Sequence, residues 1–272
     1  IIHAMTTEGK ALPVNSSPLR KIIPGLLLGF LAILGVSLVG DLRQVGELMV
    51  HFNWWLFPVA MAFTLFNYSL RFVKWHFYIG QVGGKGLDWR QSLRLFVAGF
   101  PLAVSPGKVG EVLKAVWLRH YTGITVARGV SVVVAERISD GLAVLLLSTL
   151  GVIAYPQYWL VFLVVLVGLL GVIVVSQIRP LALRLLDLGE RIGGIKRIVH
   201  VLREFYEGSF MLFKPRATLL AVGLGMVSWF GEGIGFYLLL LGLGFEPSAH
   251  LFGLAVFTLA FSTVVGAGGA AG

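Results

Sequence analysis

Residues 159–176 read WLVFLVVLVGLLGVIVVS, eighteen consecutive positions without a charge, and this stretch decides the fold. Wound as an α-helix it approaches the roughly 20 residues that cross a hydrocarbon core. It is apolar on every side, whereas a membrane β-strand alternates its polarity over about 10 residues, so helices rather than a barrel are indicated. The rest of the 272-residue chain agrees, with 57% hydrophobic and 13% charged residues and a mean hydropathy of +0.88. A water-soluble core cannot absorb that much apolar surface.

Working outward from this stretch, the apolar runs predict spans at 22–39, 54–79, 126–154, 158–176 and 217–243, with two less regular pieces at 93–117 and 250–272. The expected architecture is all-α and polytopic, a membrane domain over 22–272 behind an N-terminal tail over 1–21. Ile1 to Ala4 precede Met5 and are set aside as a cloning remnant. The run from Ile22 is too long for a cleaved signal and no small-residue cleavage pattern follows it. Within 179–216, Ile195, Ile198, Val199, Leu202 and Phe205 recur at helical spacing between Lys196, Arg197, Arg203 and Glu204. That pattern predicts an amphipathic connection on the membrane surface.

Lysine and arginine then orient the spans. Lys10, Arg20 and Lys21 precede the first span and only Arg43 follows it, which predicts a multi-pass protein of the cell membrane with a cytoplasmic N-terminus. Arg71, Lys74, Lys85, Arg90 and Arg94 mark 71–94 as cytoplasmic, and the eight basic residues of 179–216 do the same there. The connections 155–158 and 244–249 carry neither lysine nor arginine and fit the outer side. A full crossing at 93–117 would put every later loop on the wrong side, so that piece is expected to enter and return. Its sequence agrees: Leu95–Val104 is half a span, Ser105-Pro106-Gly107-Lys108-Val109-Gly110-Glu111 breaks it, and Val112–Leu118 runs apolar again. Backbone freed by such a break is tolerated at membrane depth only inside protein or beside a water-filled cavity.

The broken piece has an echo. Phe96-Val97-Ala98-Gly99-Phe100 aligns with Phe257-Thr258-Leu259-Ala260-Phe261 at an offset of 161 residues, with Val104 over Val265 and Gly107 over Gly268. Each copy follows a long span, one expected to run inward and the other outward, so the copies would form an inverted repeat. Interrupted segments at corresponding places in two halves point to a transport site near the midplane.

Several charges sit inside apolar sequence: Lys108, Glu111 and Lys114 at the break, Glu136, Arg137 and Asp140 on the next span, and Glu232 on the late one. Each costs about 2.5–3.5 kcal/mol at a helix centre on insertion scales, so each is expected to find a partner or water. Glu136 and Asp140 share a helix face, and Arg137, three positions before Asp140, is expected to pair with it. Other patterns lead nowhere. The chain has no cysteine, and His3, His51, His76, His120, His200 and His250 are scattered, so neither a metal site nor any other cofactor is expected. Gly107-Lys108 lacks the earlier glycine of a phosphate loop. Gly231-Glu232-Gly233-Ile234-Gly235 lies in an apolar helix, where small residues serve close packing. The net charge of +9 follows from the basic loops and implies no nucleic-acid partner.

With these residues in view the chain resembles the lysylphosphatidylglycerol synthase transmembrane family, a flippase-like membrane domain. The break from Ser105 to Glu111 is similar to the family's proline–glycine hairpin with its following glutamate, and Ala135-Glu136-Arg137-Ile138-Ser139-Asp140 is similar to its Glu-Arg-x-x-Asp helix motif. The likeness runs over about residues 20–272 and departs at the end, where the family's second proline–glycine loop with its following glutamate is matched only by Gly266-Ala267-Gly268-Gly269-Ala270-Ala271-Gly272. The resemblance implies translocation of a lipid with a charged head group: an anionic or aminoacylated phospholipid, or a polyprenyl-linked sugar. It implies a polar cleft of Glu111, Glu136, Arg137 and Asp140, phosphate recruitment by Lys108 and Lys114, and backbone donors from Ser105 to Gly110, Gly107 included. Membrane lipids are the expected partners; a lipid-synthesising partner enzyme and a homo-oligomer stay open. No catalytic motif is read, and the alternatives are an embedded lipid transferase using Glu111 or Asp140 as base, or a non-transporting scaffold.

Overall fold

The computed structural model describes residues 42–84, 86–100, 111–154, 159–190 and 196–267, and every regular element among them is a helix. In chain order these are α1 (Leu42–His51), α2 (Leu56–Gln81), α3 (Trp89–Ala98), α4 (Val112–Thr122), α5 (Val126–Ala154), α6 (Trp159–Gln177), α7 (Arg179–Glu190), α8 (Lys196–Leu212), α9 (Pro215–Gly242) and α10 (Ala249–Ala267). The chain divides into two compact units, Ile1–Glu47 and Leu48–Gly272. All that follows lies in the second unit.

The predicted spans at 54–79, 126–154, 158–176 and 217–243 emerge as α2, α5, α6 and α9; the one at 22–39 lies outside the described residues. By length and composition α2, α6 and α9 can each cross a bilayer. At 29 residues α5 is longer still, about 43 Å at 1.5 Å per residue, but it carries Arg128, Glu136, Arg137 and Asp140.

Helix α5 is the hub, packed against α4, α8, α9 and α10, while α2 and α9 form the most extensive helix pair. That pair is antiparallel: Asn53 N–H donates to the Gly242 carbonyl at 3.0 Å, Ala60 abuts Gly235 and Asn67 meets Ser228. Small residues let these backbones approach, as close packing between membrane helices requires. A Cβ added at Gly225 would stand 2.8 Å from Ala143 Cβ, and one at Gly129 would stand 2.9 Å from Ala115 Cα. The core gathers Phe72, Trp75, Tyr78, Leu95, Phe96, Leu118, Val132 and Leu212 between these helices. No described residue of α6 is buried, and the rows of exposed Val, Leu and Trp on α2 and α6 are apolar surface suited to lipid rather than water.

Helices α3 and α4 have 10 and 11 residues, about 15 Å each and half a crossing. Asp88 caps α3 by accepting from the Arg90 N–H at 3.2 Å, and α4 ends on Gly123 at φ 72°, a conformation glycine adopts without steric cost. Residues 101–110, with the break itself and Ser105, Gly107, Lys108 and Gly110, lie outside the described residues. The stretch 179–216 contains two helices, α7 and α8, and the apolar spacing of Ile198, Val199, Leu202 and Phe205 falls on α8. Arg203 pairs with Asp187 and Glu190, each at 2.8 Å, and these solvated bonds hold its guanidinium pKa above the usual arginine value.

One part of the charge count is corrected. Arg71 and Lys74 are not loop cations: they lie within α2, in its second half, and Lys74 is fully buried. The orienting charge of the 71–94 stretch therefore falls to Lys85, Arg90 and Arg94.

A buried ion-pair cluster as the candidate functional site

Along α2, Thr64, Asn67, Arg71, Lys74 and Tyr78 recur every three or four residues. That spacing lays them on one face of the helix as a polar stripe about 21 Å long. The stripe faces inward, against α5 at one end and α9 nearer the middle. On α5 the residues that meet it are Glu136, Ser139 and Asp140, one turn apart.

The contacts form a network. Arg71 reaches Glu136 Oε1 with Nη2 at 3.3 Å and Asp140 Oδ2 with Nε at 3.4 Å. Lys74 Nζ pairs with Asp140 Oδ1 and donates to Ser139 Oγ at 3.2 Å. From the start of α4, Glu111 takes Arg137 in a fork, Nε to Oε2 at 3.0 Å and Nη2 to Oε1 at 2.5 Å. Such two-point pairing is the strongest geometry a guanidinium offers. Lys114 Nζ lies 5.5 Å from the Trp75 ring centroid and 5.7 Å from that of Phe96, within cation–π range. Gly99 makes room for it, since a Cβ there would fall on Lys114 Cε.

Lys74 and Glu136 are 0% exposed, Glu111 is 1%, and Lys114 and Asp140 are 2%. Ions so far from water need every charge met. Four cations, Lys114, Arg137, Arg71 and Lys74, act on the Glu136 carboxylate, yet among the described residues the cluster holds only three carboxylates, Glu111, Glu136 and Asp140. The surplus is one positive charge. Arg137, with 32% of its side chain exposed, is the point at which the network opens. Beside it on α5, Val134 and Ile138 line an apolar groove of about 420 Å³ completed by Val172, Phe205 and Phe213.

A second polar contact lies one turn along the stripe. Glu232 of α9 accepts from Thr64 Oγ1 at 3.2 Å and Asn67 Nδ2 at 3.0 Å, and Ser228 donates to Asn67 Oδ1 and to its backbone carbonyl at 3.2 Å. The Arg71 guanidinium bridges the two regions, 5.7 Å from the Tyr68 ring centroid and 5.8 Å from that of Trp229.

Of the residues singled out from sequence, the structure brings Glu111, Lys114, Glu136, Arg137 and Asp140 together and places Glu232 with Thr64 and Asn67. The expected Arg137–Asp140 pair is corrected: Arg137 turns to Glu111, and Asp140 is taken by Lys74 and Arg71 from α2. Arg71, Lys74, Asn67 and Ser228 were not foreseen as site residues. The three-and-four spacing of polar residues within the 54–79 run is the signal that marks the first three.

No curated protein and no solved structure matches the chain. Residues 23–271 match the family described as lysylphosphatidylglycerol synthase TM region. A multi-pass helical membrane protein in which Glu111 and the Glu136–Asp140 helix close into one buried network thus belongs to the lysylphosphatidylglycerol synthase transmembrane family.

Proposed function

We propose that this chain translocates a lipid with a charged head group across the cell membrane, its N-terminus in the cytoplasm, with Glu111, Lys114, Glu136, Arg137 and Asp140 joined by Arg71 and Lys74 as the head-group site. The observation that carries the reading is a buried, membrane-depth ion cluster with one cation in surplus, opening at Arg137 beside an apolar groove. Ionisable residues inside membrane helices mark substrate paths more often than structural knots. The surplus cation suits a phosphate, and the groove suits an acyl chain. In this reading α3 and α4 are the two arms of a re-entrant hairpin; Ser105, Gly107, Lys108 and Gly110 between them lie outside the described residues. An anionic or aminoacylated phospholipid and a polyprenyl-linked sugar all present the required charge.

Proteoliposomes carrying a labelled phospholipid test this. Glu111→Gln and Glu136→Gln keep the side-chain shape and remove the charges that order Arg137 and Arg71, so, assayed below the melting temperature of each variant, the rate of lipid movement per folded protein should fall at least tenfold. Wild-type rates in both variants would place the path elsewhere. Chemical change of the lipid by the purified protein would favour an embedded transferase instead, and a wild type that neither moves nor alters lipid would favour a scaffold.

A further inference from the structure

The offset of 161 residues that aligns Phe96–Phe100 with Phe257–Phe261 returns in backbone geometry outside those segments. Helix α1 ends at His51 and α8 at Leu212; α2 ends at Gln81 and α9 at Gly242. Both intervals are 161. The turns that follow α2 and α9 share three backbone hydrogen bonds at matching positions, with one further bond, Leu243 N–H to Leu240 O, in the second. Val82 N–H donates to Tyr78 O, Gly83 to Gly80 O and Gly84 to Ile79 O; Leu243 donates to Leu239 O, Gly244 to Leu241 O and Phe245 to Leu240 O. Gly83 stands at φ 91° and Gly244 at φ 90°. A left-handed glycine is a common way to end a helix, so each turn alone carries nothing. Their shared offset with helix ends and with an unrelated stretch of sequence carries a great deal.

The contacts then locate the symmetry. In a pair of elements related by a two-fold axis, a residue touches its own counterpart only on the axis itself. Asn67 and Ser228 are 161 apart and are hydrogen-bonded to each other near the middle of both helices. Because α2 and α9 run antiparallel, that axis lies across them, in the plane of the bilayer. The positions one turn away from it are counterparts too: Arg71 on α2 and Glu232 on α9, again 161 apart. The halves thus share the ends of their long helices and the turns after them, while α10 runs on to Ala267 where α3 stops at Ala98; they also differ in charge, with a guanidinium on one side of the axis and a carboxylate held only by Thr64 and Asn67 among the described residues on the other.

We propose that α2–α3 and α9–α10 are inverted copies related by a pseudo-two-fold axis through the Asn67–Ser228 contact, and that this contact, flanked by Arg71 and Glu232, is the midplane station that the polar head group crosses. The second half of this statement rests on the function proposed above; the first does not. Repeat interfaces at the midplane are where membrane transporters place their substrate sites, and hydroxyl and amide groups there supply exchangeable hydrogen bonds to a head group that has left water.

The native chain has no cysteine, so single cysteines report without background. Asp88→Cys and Ala249→Cys, exposed and 161 apart, should react with an impermeant maleimide from opposite faces of the membrane; reaction from the same face overturns the inverted copies. Asn67→Ala and Ser228→Ala should each lower transport of labelled phosphatidylglycerol in proteoliposomes at least tenfold, while Ser228→Thr, which keeps the hydroxyl, retains the rate. Wild-type rates in both alanine variants overturn the midplane station. The labelling does not depend on how those variants fold, so reaction from the same face overturns the repeat in every case. A wild type that moves no lipid overturns the function and the station together, and leaves opposite-face labelling standing for the repeat.

Discussion

Asp140→Asn is the substitution whose cost the structure defines best. The carboxylate is 3% exposed, Lys74 Nζ pairs with one oxygen from a side chain 1% exposed, and Arg71 Nε lies 3.4 Å from the other. An amide there leaves Arg71 its contact with Glu136 at 3.3 Å but leaves the Lys74 ammonium with neutral acceptors alone, the amide oxygen and Ser139 Oγ at 3.2 Å. Breaking a buried pair while one charge stays behind costs about 3–5 kcal/mol. At roughly 2–4 °C per kcal/mol for a chain of this size, the melting temperature in detergent should fall by roughly 6–20 °C. Lys74→Met costs a similar amount for the converse reason. The double variant Lys74→Met with Asp140→Leu removes both charges and should recover to within about 1 kcal/mol of wild type, because apolar side chains of similar volume replace buried ion pairs at little or no loss. The measurement is a thermal double-mutant cycle. A change under 2 °C for Asp140→Asn, or additivity to within about 0.5 kcal/mol, would refute the buried pair.

The fork between α4 and α5 gives a sharper comparison: Arg137 should couple strongly to Glu111 in a stability cycle, and more weakly to its helix neighbour Asp140, with the reverse order sinking the assignment of partners. Gly129→Ala should cost about 1–3 kcal/mol as an overpacked contact, since the new methyl would meet Ala115 Cβ at 2.7 Å and its backbone at 2.9 Å. A melting temperature unchanged from wild type would mean that α4 and α5 are not in that contact.

The spans were legible because a bilayer dictates them. Val126–Ala154 was anticipated to the residue, since an apolar run bounded by Gly123 and by Tyr155-Pro156 leaves a helix no other ends. Glu136 and Asp140 were legible because four residues along a helix is one face. Arg71 and Lys74 were misread for a definite reason. A charge count cannot tell whether a residue in the second half of a 26-residue helix points to the headgroups or into the protein, and only the inward facing of Asn67, Lys74 and Tyr78 settles it. The partner of Arg137 was misread because helix spacing offers Asp140 as the local choice. Glu111 brings two oxygens to a planar fork, whereas a neighbour three residues along the same helix meets that fork less squarely. The partnership of Asn67 with Ser228 depends on tertiary register, which no local pattern encodes.

The order of the charges along the chain bears on what the cluster is for. Arg71 and Lys74 precede their partners Glu136 and Asp140 by about one quarter of the chain, so α2 carries two cations that stay unmatched until α5 is in place. On insertion scales each is worth about 2.5–3.5 kcal/mol at the centre of a span and less toward its end. The surrounding Leu, Phe and Val of α2 offset that cost. Docking alone does not explain why it is borne, because packed apolar residues between α2 and α5 would hold the helices as firmly or more so. Apolar residues cannot bind a charged group. A network with more cations than carboxylates, one guanidinium partly open and the Glu136 Oε2 atom buried without a hydrogen-bond partner among the described residues keeps capacity for one more charged, hydrogen-bonding ligand. That spare capacity separates a head-group site from a structural ion pair, and a fall in lipid movement per folded protein in Glu136→Gln, which takes the unpartnered carboxylate oxygen away, is the outcome that would tie the two.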